Sequence, residues 1–403
     1  SSETRVLSTT MSFVRILNHL MKDKNIKDRI VPIIPDECRT FGMEGMFRQF
    51  GIYSHVGQLY KPVDAEQLMY YREDKKGQVL EEGITEAGGF CSWMAAATSY
   101  SNNNFPMIPF FIYYSMFGHQ RVGDLAWAAG DIRARGFLLG GTAGRTTLAG
   151  EGLQHQDGQS HIMANFVPNC LSYDPCFMYE LTVIIQAGLQ RMYVNEEDIY
   201  YYITVMNENY THPAMPKGAE EGIVKGMYLL SSSAKKTEKH VQLLGCGTIL
   251  REVIAAAQIL EADYGVSSDI WSATSFNELA REAADVTRWN RFHPDEKQKK
   301  AYVTSCLEKQ KGPIIAATDY VRVFADQIRA YLPGKTYTAL GTDGFGRSDD
   351  RKELRHFFEV DSKHIVHAVL KTLADDGSFP VAKVKEAMKK LGINQDKPNP
   401  VTV

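Results

Sequence analysis

The stretch "EEGITEAGGFCSW" (81–93) places a carboxylate, Glu86, between glycines and directly ahead of an apolar run suited to burial. An ionised carboxylate loses much hydration when buried, so its position needs a reason. One reading is an acid at a helix start, held by the first-turn N–H groups and the helix dipole. The other is an acid whose proton takes part in chemistry. Asp36 and Glu37 close the apolar run "RIVPII", at the strand end where parallel α/β sheets gather ligands. In "FFIYYSMFGHQRVGD" (110–124), aromatics run off a strand into a glycine turn followed by His119, Arg121 and Asp124. That run is either an aromatic core edge or a flat face on which a planar ring can stack. The segment "GGTAGRTTLAGEGLQHQDGQSH" (140–161) is rich in glycine, which permits close backbone approach, and it carries His155 and His161. Their spacing is not the i, i+4 pattern of a helical zinc site, so no metal is expected there.

Short β-rich runs alternate with helical periodicity around these residues. A helix is expected over "TTMSFVRILNHLMKD", with polar caps at Ser8, Thr9 and Thr10. Further helices are expected at "GGFCSWMAAATSY" and "MYELTVIIQAGLQRMY", and strands at "MIPFFIYY", "RGFLLG" and "IYYYITVM". The alternation implies a parallel sheet covered on both faces. A second α/β unit begins with "HVQLLGCGTILREVIAAAQILEADYG". The polar stretch "SSSAKKTEK" (231–239) reads as the end of the connection between the two, and "KPVDAEQLMYYREDKKGQ" as a long loop within the first. The Gly-x-Gly of "LLGCGTIL" lacks the rest of a dinucleotide fingerprint, and "GTDGFGRSD" reads as a turn with a domain-contact role. No P-loop, Gly-x-Ser-x-Gly elbow or His-Glu-x-x-His motif is present.

The 403 residues exceed what one core organises well, which suggests two domains or three. A formal charge of −3 and the absence of a Lys/Arg cluster speak against nucleic acid. No apolar run is long enough for a membrane span, and nothing resembles a secretory signal. The six cysteines, with no Cys-x-x-Cys pair, are expected to be small core or near-core residues in a reducing cytoplasm, neither zinc ligands nor a disulfide framework. The opening "SSETRVLS" has no initiator methionine and reads as trimmed or tag-scarred.

Five stretches together resemble one family: "VPIIPDECRTFGMEGMFRQFGIYS", "ITEAGGFCSWMAAATSYS", "FPMIPFFIYYSMFGHQRVGDLAWAAGD", "GRTTLAGEGLQHQDGQSH" and "GTDGFGRSDDRKELRHFFEVD". It is the homodimeric bacterial pyruvate dehydrogenase, the decarboxylating component that depends on thiamine diphosphate, and the resemblance spans essentially the whole chain. It implies a transketolase-like fold of two doubly wound α/β sheets. Residues 1–218 would be a pyrimidine-binding domain and 219–403 a transketolase carboxy-terminal domain.

The resemblance also assigns roles. Glu86 falls on the glutamate that bonds N1′ of the cofactor's aminopyrimidine, so that N4′ can take the thiazolium C2 proton. Burial disfavours an ionised carboxyl and suits that role. Glu37 falls on a second glutamate close to the first, so the two carboxyls could share a proton. Phe117 matches the aromatic that stacks on the pyrimidine, and Tyr114 and His155 match groups near the reacting carbon and substrate. Asp36 neighbours them. Residues 55–75, including Asp64, match a loop that orders over the occupied site. Two departures stand out. "TEAGGF" differs from the usual residues around the glutamate, and His119 stands where the family tends to have an aromatic. The family's amino-terminal domain, with the Gly-Asp-Gly…Asn motif for magnesium and diphosphate, has no counterpart in the sequence.

The implied protein is therefore half of an enzyme that decarboxylates a 2-oxo acid and transfers the acyl unit to a lipoyl group. Its expected cofactor is thiamine diphosphate, with Mg2+ held by a missing domain or a partner chain. Expected partners are that complementary diphosphate-binding chain, a second copy in a dimer or α2β2 heterotetramer, and a lipoyl acetyltransferase. The alternatives are a split-gene carboligase that hands a two-carbon unit to a carbonyl acceptor, and a non-catalytic assembly subunit.

Overall fold

A computed structural model describes residues 5–63 and 71–403. Asp64, expected in the loop over the site, lies outside the described residues. The chain forms two compact units. The first comprises Ser1–Ala143, Met163–Ser172 and Leu181–Pro213; the second comprises Gly144–Ile162, Tyr173–Glu180 and Ala214–Val403.

In the first unit, the Ile- and aromatic-rich runs form a six-stranded sheet because nearly every position is covered on both faces. Its strands are β1 (Ile30–Ile34), β2 (Leu80–Glu81), β3 (Ile108–Tyr114), β4 (Phe137–Gly141), β5 (Cys170–Tyr173) and β6 (Tyr200–Thr204), in the order β2-β1-β3-β4-β6-β5. β1 pairs in parallel with β2 and β3, β3 with β4, and β4 with β6. The short β5, "CLSY", was not expected from the sequence; four residues carry too little periodicity to distinguish a strand. Helix α1 (Thr9–Leu20) begins at Ser8, whose side chain accepts from the Met11 N–H, and buries Phe13, Val14 and Leu17. Helix α2 (Glu86–Ala97) packs Phe90 and Trp93 onto the sheet, and the Trp93 indole N–H donates to the Phe137 carbonyl at 3.1 Å. Helix α3 is His119–Asp131.

The second unit holds a five-stranded sheet: β7 (Tyr228–Ser232), β8 (His240–Gly245), β9 (Ser267–Ser272), β10 (Ile314–Ala317) and β11 (Tyr337–Leu340), in the order β11-β10-β8-β9-β7. Helices α4 (Ile249–Tyr264), α5 (Phe276–Phe292), α6 (Arg351–Phe357) and α7 (Ser362–Asp375) belong to this unit. Phe276, Leu279, Tyr320 and Phe324 lie in one buried apolar cluster of it.

Two expectations are corrected. The stretch 231–239 is not an interdomain connection. Its first residues finish β7, an antiparallel edge strand paired with β9, and Lys236 bonds Asp269 at 2.9 Å. The polar composition is that of a sheet edge, where lysine and serine discourage further pairing. Nor are all cysteines in or near the core: Cys91 is exposed on α2, while Cys306 is half-buried and the other four are buried, and none of the six forms a disulfide.

Candidate functional site

The site is built at the carboxyl ends of the first sheet's strands. Past β2, the chain turns at Gly83 and Thr85 caps α2, its hydroxyl accepting from the Gly88 N–H at 3.2 Å. That cap makes Glu86 the first helical residue, and its side chain turns inward to 7% exposure. Its Oε2 accepts from Nη1 of Arg121 at 3.0 Å. Arg121 comes from the first turn of α3, and its guanidinium lies 4.2 Å over the centre of the Phe117 ring. Phe117 meets Tyr114 edge-on at 5.8 Å between centroids, and Tyr114 meets Phe41 at 5.4 Å. Glu86, Arg121, Phe117, Tyr114 and Phe41 thus form one continuous chain of contacts.

The backbone beneath this chain is under constraint. Tyr114 sits opposite Gly141 in the sheet. A Cβ on Gly141 would lie 2.5 Å from the Phe41 ring, so only glycine admits that ring. The next residue, Thr142, is held at φ 49°, and its buried hydroxyl has no hydrogen-bond partner among the described residues. A β-branched residue in the left-handed region costs on the order of 1–3 kcal/mol and is a mark of functional strand ends.

The other expected residues separate into distinct settings. Glu37 is half-buried and its Oε2 accepts from the Thr40 hydroxyl at 2.8 Å. Asp36 is exposed in the left-handed region at φ 51° and lies against Glu81 at the end of β2. Burial, and then Asp36 as both hydrogen-bond partner and like charge, push the Glu81 carboxyl up to about 7. Carboxyls also meet at this sheet end in the Asp36–Glu81 pair, which the sequence reading missed. Only the register of β1 on β2, which sets Ile34 opposite Glu81, brings them together.

His119 turns into the core. It is 3% exposed, meets Tyr202 edge-on at 4.7 Å, and neither ring nitrogen has a hydrogen-bond partner among the described residues. Burial pushes it down to about 4, so it is neutral near pH 7. His155 belongs to the second unit, half-buried in a short 3-10 turn where its Nδ1 meets the Glu151 carbonyl at 3.1 Å. His161 is fully buried there, stacked on Phe324 at 4.8 Å. Arg121, named in the sequence only as a neighbour, emerges as a member of the site. Its four-residue spacing from Phe117 was the available signal.

The geometry admits a test for the cofactor implied by the sequence. The Arg121 guanidinium is a flat cationic group that gives an N–H to Glu86 and lies on Phe117. Those are the two contacts a protonated aminopyrimidine ring requires, so the residues present fit such a ring.

Parallel α/β sheets with a buried glutamate at a helix start define the class, and the solved structures agree on the fold. Transketolase from Campylobacter jejuni matches 92% of this chain and 47% of its own, with a TM-score of 0.67 at 18% identity. Transketolase from Leishmania mexicana matches 94% of this chain and 47% of its own, at 0.69 and 14%. A split-gene transketolase, described as an inactive beta4 tetramer, matches 91% of this chain and 98% of its own, at 0.60 and 14%. The fold is transketolase-like.

The sequence carries the assignment further. Residues 1–213 match the family model for the pyruvate dehydrogenase E1 component middle domain, and residues 226–361 match the transketolase-like carboxy-terminal domain. The chain belongs to the pyruvate dehydrogenase E1 component family. It is 63% identical over 400 residues to the pyruvate dehydrogenase E1 component of Pseudomonas aeruginosa and 58% identical over 399 residues to that of Escherichia coli K12. Each match covers 99% of this chain and 45% of the relative, so the chain spans about half the length of the curated relatives it matches.

Proposed function

We propose that this chain supplies the pyrimidine-recognising half of a thiamine-diphosphate-dependent enzyme that decarboxylates pyruvate and passes the acyl unit to a lipoyl group. The contact chain Glu86–Arg121–Phe117 carries the reading, because it already accommodates a planar N–H-bearing cation. Thiamine diphosphate, when bound, supplies a carbon nucleophile that attacks the keto carbon of a 2-oxo acid and accepts the electrons left as carbon dioxide departs. Glu86 holds a proton at the pyrimidine ring nitrogen. Phe117 supports the ring face, and Arg121 withdraws to admit it. Tyr114, at the end of the same aromatic run, orients the substrate, and His155 of the second unit is proposed as a hydrogen-bond donor to it. Glu37 and the Asp36–Glu81 pair hold protons at the strand ends. Residues 1–218 act as the pyrimidine-binding domain and residues 219–403 as the transketolase carboxy-terminal domain.

Neutralisation of the diphosphate with magnesium is assigned to a complementary domain or chain, which the 45% coverage of the relatives supports. Self-association as a dimer, or as two copies of each chain, completes the proposed assembly, and a lipoyl acetyltransferase receives the product. Among the described residues no helix is long and apolar enough to cross a membrane. Cysteines outside any disulfide suit a reducing cytoplasm.

The test mixes this chain with the complementary diphosphate-binding polypeptide, magnesium and thiamine diphosphate, and follows carbon dioxide release from pyruvate. Positioned acid–base groups contribute about 10²–10⁴-fold, so Glu86→Gln should lower turnover at least about 100-fold. Undiminished turnover in that variant would overturn the reading in favour of an assembly role. Acceptor-dependent ketol formation without lipoyl acylation would replace the dehydrogenase with a carboligase.

A further inference from the structure

A second constellation lies in the carboxy-terminal unit, where α6 gives way to α7. Asp361 caps α7 and its Oδ1 accepts from the His364 N–H at 2.8 Å. The same oxygen meets the His364 Nδ1 at 2.7 Å, and Oδ2 meets the His356 Nδ1 at 3.1 Å. The two imidazole rings are 4.9 Å apart between centroids. One nitrogen from each ring and one carboxylate oxygen all lie within 4.8 Å of one another. Two imidazoles converging on one carboxylate form a donor set that the pyruvate chemistry proposed above does not use.

We propose that His356, Asp361 and His364 form a binding site for a divalent transition-metal ion of borderline softness, zinc being the type case. A tetrahedral zinc site with bonds of roughly 2.0–2.1 Å sets its ligand atoms roughly 3.3 Å apart. Each imidazole meets a different oxygen of Asp361, His356 Nδ1 at Oδ2 (3.1 Å) and His364 Nδ1 at Oδ1 (2.7 Å), and with all three donor atoms within 4.8 Å of one another, side-chain rotation closes the set to that edge. Each Nδ1 is freed for the ion when its hydrogen moves to Nε2, a tautomer change that leaves the ring neutral. Two nitrogen donors and one oxygen select against magnesium and calcium, which prefer oxygen shells. The fourth position is left to water, and His356, with 34% of its side chain exposed, gives access from solvent.

The surroundings are built to hold this geometry. Glu252 on α4 accepts from the Ser362 N–H at 3.0 Å and pairs with Arg355 at 3.2 Å, which fixes both sides of the turn. Within the turn, Glu359 takes φ 63° and is tied to Lys397 at 2.9 Å. The backbone N–H of His364 donates to the Asp361 carboxylate at 2.8 Å and holds it in place whichever ring tautomer is present. His367, one turn along α7, is held below the ordinary histidine range by burial, then by His364 and Lys371, with Glu359 opposing, so it adds no competing charge at neutral pH. The ion would clamp α6 to α7, and its binding to the folded state alone would raise stability by mass action.

The experiment uses the full, tag-free chain, stripped with chelator and titrated with cobalt(II) as a visible probe. One equivalent should give the intense visible bands of a four- or five-coordinate ion, and zinc should abolish them while raising the thermal midpoint. His364→Phe and His356→Gln should lose both responses. Asp361→Asn keeps a helix-capping oxygen but loses the charge, so it should stay folded and bind zinc at least about tenfold more weakly, the lower bound for losing even an outer-shell partner. A cobalt spectrum that stays that of the hydrated ion, or an Asp361→Asn chain that binds zinc as tightly as the parent, would overturn the proposal.

Discussion

The Glu86 carboxylate and the Arg121 guanidinium meet at 3.0 Å, yet they stand in different solvents: the acid side chain is 9% exposed and the base 53%. Arg121 reaches in from the surface to satisfy an acid that the fold has already buried. The ion pair is therefore strongly asymmetric. The acid depends on the base far more than the base depends on the acid.

The two single variants should report that asymmetry, and their double mutant the strength of the contact. Removing Arg121 alone, as Arg121→Leu, strands a buried charge, whereas Glu86→Gln leaves an exposed arginine content in water. Arg121→Leu should accordingly be the more destabilising change in urea titrations. The coupling between the two positions should be small, about 0.2–1 kcal/mol, because solvent screens the guanidinium. A coupling near zero, with Glu86→Gln the costlier change, would show that the contact is not maintained in solution.

The Asp36–Glu81 neighbours make a pH prediction of definite sign. The folded-state carboxyl of Glu81 lies near 7, above its ordinary 4.5. The native state therefore binds more protons than the unfolded chain between these values, and stability contributed by Glu81 falls as pH rises through that window. Glu81→Gln should raise the thermal midpoint at pH 8 and leave it nearly unchanged at pH 4. An equal shift at both pH values would mean that neither burial nor Asp36 raises the Glu81 carboxyl in the folded chain.

Much of this was legible before any coordinates. Glu86 ahead of "GGFCSW" marked a helix start with a buried acid, and the apolar runs marked β1, β3, β4 and β6, because fully covered strands read as continuous apolar stretches. What escaped depended on tertiary register. Asp36 and Glu81 are 45 positions apart in the chain, and only the pairing of β1 with β2 joins them. The direction of His119 escaped for a related reason: a residue at a helix start can face either way, and the decision rests with Tyr202 across the unit. Residues 231–239 misled because a polar sheet edge and a linker share a composition.

His119 carries the opposite pH signature to Glu81. Its folded value near 4 lies below the ordinary 6.5, so the unfolded chain takes up a proton first as pH falls. The neutral ring's contribution is fully present above 6.5 and is lost progressively down to about 4, amounting to about 3 kcal/mol at the acid end. His119→Phe keeps an aromatic against Tyr202 and removes the titration. The variant should match the parent at pH 8 and outlast it in thermal melts at pH 5. Parallel pH profiles for the two proteins would show that the imidazole is reached by water.

The last prediction concerns the glycine-rich segment 144–161, which lies in the second unit and whose start is held by one buried acid, Asp319. Asp319 is fully buried, and its Oδ1 accepts from the N–H and hydroxyl of Thr146 at 2.8 and 2.7 Å. Its Oδ2 accepts from the N–H and hydroxyl of Thr147 at 3.1 and 2.6 Å. Gly144, at φ 87°, makes room for this, since a Cβ there would lie 2.4 Å from Oδ2. Burial pushes the carboxyl above its ordinary range, and Arg355 with the threonine bonds offsets only part of that. Asp319→Ala leaves four donors without their acceptor, each worth on the order of 1 kcal/mol or more when stranded, so the loss should reach at least about 3 kcal/mol in denaturant titration. Asp319→Asn preserves the volume and one acceptor oxygen and should cost less. If the segment were merely a surface loop, both variants would unfold with the parent and protease sensitivity within 144–161 would not change; if it is organised by Asp319, cleavage there should rise in Asp319→Ala before the rest of the unit unfolds.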